Sequence, residues 1–580
     1  MVMLHGSGTL HISQIYTHFR PRPRRYSLTP FRCYIGTPSL QSRSYTPRLM
    51  VEKRSLAKNI LLSVTIASGA GLGYLYITDT RASVHRWLAV PLVRAIWPDA
   101  EDAHQAGINL LKELHRFGLH PRERGHDAKD LEIDVFGHTL VNPLGISSGL
   151  DKNGEIPTPL LALGPAVVEI GGVTETRQSG NPRPRLFRIV SQQGMLNRYG
   201  LNSDGAELVA ARLRQRLREF AYHQGYGLGE DAERFVLNGD AGVPPGSLMK
   251  GKLMAIQVAK NASTPDGDIE AIRRDYVRAT GLLARYADIV VVNVSCPNAP
   301  GYRELQQIKP LTKILTGVVD AAASADRKSR PAIMVKVSPD EDTEEQVASI
   351  CAAVWASGVD GVIVGNSTRL RMDALPESSL SKTEAAIMRE QGGYSGPQLF
   401  HRTVNLVKKY RRILDYPLYE KNKSQQAQLQ PQEATGTRIE ASIEHDASNL
   451  EDASNKSVNQ HLIRIPERYS TSTTGSPGSD TPALSALRHL EQSSTSKVFP
   501  ATLTPKVIFC TGGITNGQQA LEVLIAGASV AQIYTGMCFY IKTLPANDWH
   551  YSTCLRRSGK SHLYEAGDEA NIQNSLELDE

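Results

Sequence analysis

The sequence predicts an α/β protein whose body is one closed (β/α)8 (TIM) barrel, preceded by a transmembrane helix and a small helical module. Three observations carry this prediction. Eight apolar, β-branched runs recur at Leu144–Ser148, Val167–Gly171, Leu253–Ala259, Asp288–Val294, Ala332–Ser338, Gly361–Asn366, Lys506–Gly513 and Val530–Thr535. Most are followed by a helical stretch, as at Ala206–Tyr222, Ile269–Tyr286, Glu341–Ala356 and Gly517–Gly527. Runs this apolar are covered on both faces, which is a property of parallel strands, and eight strand–helix units close into a barrel. Finally, polar residues and glycines gather at the C-terminal ends of the runs, where barrels carry their active sites.

The elements follow in chain order. Residues 1–51 contain seven arginines, no lysine, and no acid before Glu52. An Arg-rich, acid-free N-terminus has the composition of a mitochondrial transit peptide, here residues 1–55. Removing those seven charges from the formal +6 leaves the other 529 residues at −1, so the body carries no basic footprint for nucleic acid. Residues 59–78 hold no charge and at about 1.5 Å per residue are long enough to cross a hydrocarbon core of roughly 30 Å. Gly69, Gly71 and Gly73 suit a membrane helix better than a soluble one, and no strand precedes them to make a dinucleotide fingerprint. Lys53, Arg54 and Lys58 on the N-terminal flank put the bulk of the chain on the intermembrane-space side.

Residues 80–120 read as two amphipathic helices. Val84, Trp87, Leu88, Leu92 and Ile96 mark the first; Ala103, Ala106, Leu110, Leu111, Leu114 and Phe117 mark the second, with Asp102 as its N-cap. Their stripes could pair with each other or form a hydrophobic mouth on the bilayer, and the sequence leaves both open. The barrel occupies 130–419 and 497–541. Between these parts, 420–496 is rich in Ser, Thr, Gln, Asn and Glu and too poor in apolar period to bury a core, so it reads as a disordered insertion. Residues 542–580 form an atypical tail without amphipathic period. Six scattered cysteines without a CxxC pair argue against a disulfide framework or a structural metal.

The strand ends carry the chemistry. Run seven gives Thr511–Gly517 (TGGITNG) leading into a helix, and run eight gives Tyr534–Gly536 (YTG). Glycines let backbone approach an anion and a helix start supplies free N–H groups, so together these read as a phosphate cradle. Lys152 and Lys336 suit anion binding and Schiff-base chemistry equally. Cys296, past run four and flanked by Asn293 and Asn298, suits proton transfer or nucleophilic work. No HisxxxHis cluster or GxSxG elbow is present at these ends.

The segments IGGVTETRQSGNPRPRLFR (Ile170–Arg188), LNRYGLNSDG (Leu196–Gly205), VVNVSCPNAPGYR (Val291–Arg303), VKVSPD (Val335–Asp340) and CTGGITNGQQALE (Cys510–Glu522) resemble the membrane-bound, quinone-dependent (class 2) dihydroorotate dehydrogenases. The resemblance implies an FMN barrel that oxidises dihydroorotate to orotate in pyrimidine synthesis and reduces ubiquinone, at the mitochondrial inner membrane. It implies FMN contacts at Ser148, Gly149, Lys152, Gly172, Asn197, Gln257, Asn293, Lys336, Gly365, Gly396, Gly513, Tyr534 and Thr535. Substrate contacts would fall on Lys152, Asn197, Arg198, Tyr199, Gly200, Leu201, Asn293, Asn298, Asn366 and Ser367. Cys296 would be the base that takes the C5 proton, and Arg188 with the helix pair would guide quinone. The chain departs from the family pattern at Cys296 (usually serine), Gly172 (serine), Gln257 (asparagine), Gly365 (threonine) and Ala299 (threonine). These departures leave open a flavoprotein for another dihydropyrimidine, and the lack of a readable last barrel helix after Phe539 leaves open a non-catalytic membrane-anchored barrel.

Overall fold

Runs of Val, Ile and Leu with two apolar faces can be satisfied only between a packed interior and a helical coat, and the eight runs do become eight barrel strands. The computed structural model describes residues 50–125, 129–295, 304–371, 380–429 and 504–539. The strands are β1 (Leu144–Ile146), β2 (Val167–Thr174), β3 (Leu253–Ala259), β4 (Ile289–Asn293), β5 (Ala332–Val337), β6 (Gly361–Val364), β7 (Val507–Thr511) and β8 (Val530–Ile533). They pair in sequence order as a closed parallel barrel, with β8 meeting β1 through Gln532↔Gly145 and Ile533↔Ile146.

The interior has a sharp change of character along its axis. Its lower part is apolar: Val167, Ala255, Ile289, Val291, Met334, Ile363, Phe509 and Val530 are all fully buried in one cluster. That end is plugged by a hairpin, Ile133–Val135 with His138–Leu140, whose Val135 and Leu140 join the same cluster. The two-residue loop has positive φ at both Phe136 (53°) and Gly137 (78°), as type I′ hairpin turns require. Two residues further along the strands the inward positions turn polar, giving Ser147, Glu169, Gln257, Asn293, Lys336, Thr511 and Gln532. Side chains alternate faces with period two, so this polar tier stands directly above the apolar one.

Helices coat the outside. Thr343 and Gln346 form a capping box at the helix Glu344–Ser357, and Asp268 caps Ile269–Leu283. The helix Phe400–Leu429 runs ten residues into the stretch expected to lack order, a correction at its N-terminal edge; residues 430–496 lie outside the described residues. The leader up to residue 49 and the tail 542–580 also lie outside them.

The chain divides into two units at Ser68/Gly69. The helix Met50–Ile77 contains a stretch, Leu56–Ile77, long and apolar enough to span a membrane. The helical module comprises His85–Ala89, wound as a π-helix, Val90–Ile96 and Ala100–Arg116. Its N-cap is Asp99 and not Asp102. Asp99 Oδ1 accepts from the backbone N–H groups of Glu101 and Asp102, so the helix begins one turn earlier than its apolar stripe. No side chain of Val90–Ile96 is buried, and Trp87, Leu88, Leu92, Ile96 and Phe117 are all exposed. The stripes therefore do not close on each other. Three short strands outside the barrel, Leu186–Ile189, Gly194–Asn197 and Gly393–Ser395, make an antiparallel sheet that had no counterpart in the sequence pattern.

Candidate active site

The polar tier floors a cavity at the C-terminal end of the barrel with about 1060 Å³ of empty space including its mouth. Lys336 is its deepest charge, 2% exposed, with Nζ 3.2 Å from both Glu169 oxygens and donating to Ser147 Oγ (2.9 Å) and Ser148 Oγ (3.1 Å). Glu169 is fully buried. A buried pair of this kind is costly to desolvate and holds only because each partner is further hydrogen-bonded. Gln257 Nε2 donates to Glu169 Oε1 (2.7 Å) and Ser148 Oγ (2.8 Å), while its Oε1 accepts from Asn293 Nδ2 (3.0 Å). Asn293 Oδ1 accepts from Ser295 N (3.1 Å), and Asn366 Nδ2 donates to Ser295 Oγ (2.9 Å). One hydrogen-bonded chain thus crosses the floor from β5 to the loop after β6.

One residue of the tier is left incomplete. Gln532 is 1% exposed and lines the cavity, yet neither its Nε2 nor its Oε1 has a partner. A buried carboxamide without partners costs several kcal/mol, so its place in a cavity wall points to a group that enters the cavity.

Ser148, Gly149, Lys152, Gly172, Asn197, Tyr199, Gly200, Leu201, Asn366, Ser367, Gly396, Gly513, Tyr534 and Thr535 also line the cavity. The small sheet brings Asn197 and the loop that follows it; Asn197 Nδ2 donates to Gly393 O (3.2 Å). On the opposite wall the loop after β7 contributes Gly513 at φ 75°, where a Cβ would strike the backbone N of Phe400. The helix Gly517–Ile525 follows, capped by Asn516. Thr535 Oγ1 is 2.8 Å from Ser395 Oγ and so ties the loop after β8 to the small sheet.

Lys152 Nζ lies 3.5 Å from the centroid of the Tyr199 ring, a cation–π contact. Arg185 lies 5.2 Å from the same ring and pairs with Glu101 of the helical module (2.8 Å). His104 of that module donates through Nε2 to Leu150 O (2.7 Å). Burial, and then the Lys152 charge, push its imidazole down to about 4, so it is the neutral Nε2–H tautomer. The module is therefore tied directly to the lysine side of the cavity.

Two expected residues stand outside the cavity wall. Arg198 turns outward to Glu390 Oε2 (2.5 Å) and Pro184 O (3.0 Å), because its neighbours in the loop take the inward positions. Gly365 lies behind the wall, where a Cβ would meet Thr511 O; it lets β6 and β7 close at the rim. Arg188 donates to Pro98 O (3.0 Å) at the base of the module, near Arg94, whose guanidinium donates to Cys538 O (3.0 Å). Cys296 and Asn298 lie outside the described residues. Glu169 and Gln532 were not among the residues expected in the site, although each stands two positions beyond an inward valine, Val167 and Val530, and period-two counting would have found both.

Residues 130–418 match the family model described as dihydroorotate dehydrogenase. The Candida glabrata protein named "Dihydroorotate dehydrogenase (quinone), mitochondrial" is 34% identical over 377 residues, covering 62% of this chain and 78% of that protein. The Mus musculus protein of the same name is 34% identical, covering 60% and 77%. A Bradyrhizobium protein named "Dihydroorotate dehydrogenase (quinone)" is 36% identical, covering 55% and 74%. The crystal structure of DHODH from Eimeria tenella with ferulenol shares the fold at a TM-score of 0.54 and 22% identity, covering 80% of this chain and 93% of that one. With a relative above 30% identity matched over more than three quarters of its length, this chain belongs to the dihydroorotate dehydrogenase family.

Proposed function

We propose that this chain oxidises dihydroorotate to orotate in de novo pyrimidine (UMP) biosynthesis, with FMN in the barrel mouth and ubiquinone as final acceptor. The single observation that carries the reading is the polar tier: a floor of Glu169, Lys336, Gln257, Asn293 and the unpartnered Gln532, above a wholly apolar interior. The residues present fit FMN. Gln532 offers a donor and an acceptor to an entering heterocycle, and Gly512 and Gly513 bring bare backbone to the cavity wall just before the Asn516-capped helix, a setting that suits a phosphate. Held there, FMN would supply the hydride-accepting and electron-transferring chemistry that amino-acid side chains lack.

The protein's own part is positioning and proton transfer. Asn197, Asn293, Asn366 and Ser367 present donors and acceptors to a planar pyrimidine. Lys152, held against Tyr199, supplies positive charge for the substrate carboxylate. Cys296 takes the C5 proton at Sγ. A free thiol of pKa about 8.5 is nearer neutrality than a hydroxyl, and the loop that carries it starts from Ser295, fixed by Asn293 and Asn366. Arg188 and the module with its outward apolar stripe serve quinone entry. The leader, the Leu56–Ile77 helix and mitochondrial relatives support the inner membrane, with the barrel facing the intermembrane space and lipid as the remaining partner.

Detergent-solubilised protein given dihydroorotate and a ubiquinone analogue should form orotate and lose quinone in equal amounts. Cys296→Ala should slow orotate formation by about 10²–10⁴-fold, the usual worth of a positioned base. No orotate from the wild-type chain would refute the reading; an unchanged rate in the variant would remove Cys296 as base.

A further inference from the structure

We infer that Gly172 and Gln257 are a matched pair: the glycine on β2 leaves the room that the glutamine carboxamide on β3 occupies, and the two together shape the cofactor side of the pocket. The inference rests on the FMN reading above. Both residues line the cavity, and their strands are in direct register at Gly171↔Gln257. A Cβ on Gly172 would lie 3.0 Å from Gln257 Oε1 and 3.2 Å from Leu201 Cδ2. Contacts that tight require the neighbour to give way, and Gln257 cannot give way cheaply. The residue is 3% exposed and its carboxamide is held at three points, by Glu169 (2.7 Å), Ser148 (2.8 Å) and Asn293 (3.0 Å). Moving it would break the hydrogen-bonded chain that joins the Lys336–Glu169 pair to the substrate-side asparagines.

The converse argument runs from β3. An asparagine at 257 would retract the carboxamide by one carbon–carbon bond, about 1.5 Å, and could not reach Glu169 and Asn293 together. The freed space would open beside Gly172. A side chain at 172 and the glutamine at 257 therefore compete for one space, and a change on one strand is felt on the next.

A double-mutant cycle on flavin affinity tests this. FMN dissociation from purified holoprotein is followed by the recovery of free-flavin fluorescence for the wild type, Gly172→Ser, Gln257→Asn and the double variant. Each single change should raise the dissociation constant about tenfold, and the double variant should bind within about threefold of Gln257→Asn alone, because the serine then enters space the shorter side chain has left and residues in contact couple. Gly172→Ala, which adds only the Cβ, should show the Gly172→Ser effect in milder form and serves if the serine variant does not fold. Additive effects, near a hundredfold in the double variant, would overturn the pairing, as would a Gly172→Ser or Gly172→Ala protein that holds FMN like wild type. A wild-type protein that binds no flavin would overturn the FMN reading itself, and that result is distinct from additive variants in a flavin-binding wild type.

Discussion

Lys336 and Glu169 show how much of this site depends on single side chains. The pair is buried beneath the cavity, so Lys336→Met leaves a carboxylate without its partner and should cost about 3–5 kcal/mol of stability, with Glu169→Gln in the same chain recovering most of it. Thermal unfolding of the solubilised protein measures both. His104 gives a pH dependence. Its folded value of about 4 lies below the ordinary 6.5, so as pH falls the unfolded chain takes up the proton first. The contribution is fully present above about 6.5 and is lost as pH falls toward about 4; stability rises with pH across that window. His120, also pushed to about 4, by burial and then by His115, adds to the slope. His104→Gln should flatten the stability–pH curve between pH 4 and 6.5 by up to one proton, measured by denaturant unfolding at each pH.

At the scale of elements, the barrel strands were legible because Val, Ile and Leu runs such as Ile289–Asn293 are buried on both faces and have no competing pattern. The small sheet was not, because Leu186–Ile189 and Gly393–Ser395 are three or four residues long and sit among glycine, proline and arginine. The helix cap was misplaced by three residues because Asp99 and Asp102 both satisfy the composition rule, and only the backbone geometry separates them. Much of the cavity lining was legible through the family resemblance, whereas Gln532 was missed because its run was read for apolar residues and not counted in steps of two from the inward Val530. The polar segment after the helix Phe400–Leu429 belongs to this scale too. Deleting residues 430–496 should leave the rate of orotate formation within about twofold, since their composition predicts that they bury no core; a large loss would mean that the segment takes part in the site or its folding.

For the whole molecule, the formal +6 divides into an Arg-rich first 51 residues and a nearly neutral remainder, so Lys152 and Lys336 act as local charges in the cavity wall. The chain reads as one interrupted barrel with a helical module fixed to the rim by Glu101–Arg185 and His104–Leu150, and with a membrane-length helix before it. The module leaves Trp87, Leu88, Leu92 and Ile96 outward, while Ile108 packs into the core and Glu101 and His104 tie it to the lysine side of the cavity. The central claim, that this cavity holds a flavin reduced by dihydroorotate, is tested by the visible spectrum of the purified protein under anaerobic conditions. The account predicts flavin absorbance that bleaches on adding dihydroorotate and returns on adding a ubiquinone analogue; a colourless protein, or a flavin spectrum unchanged by dihydroorotate, would contradict it.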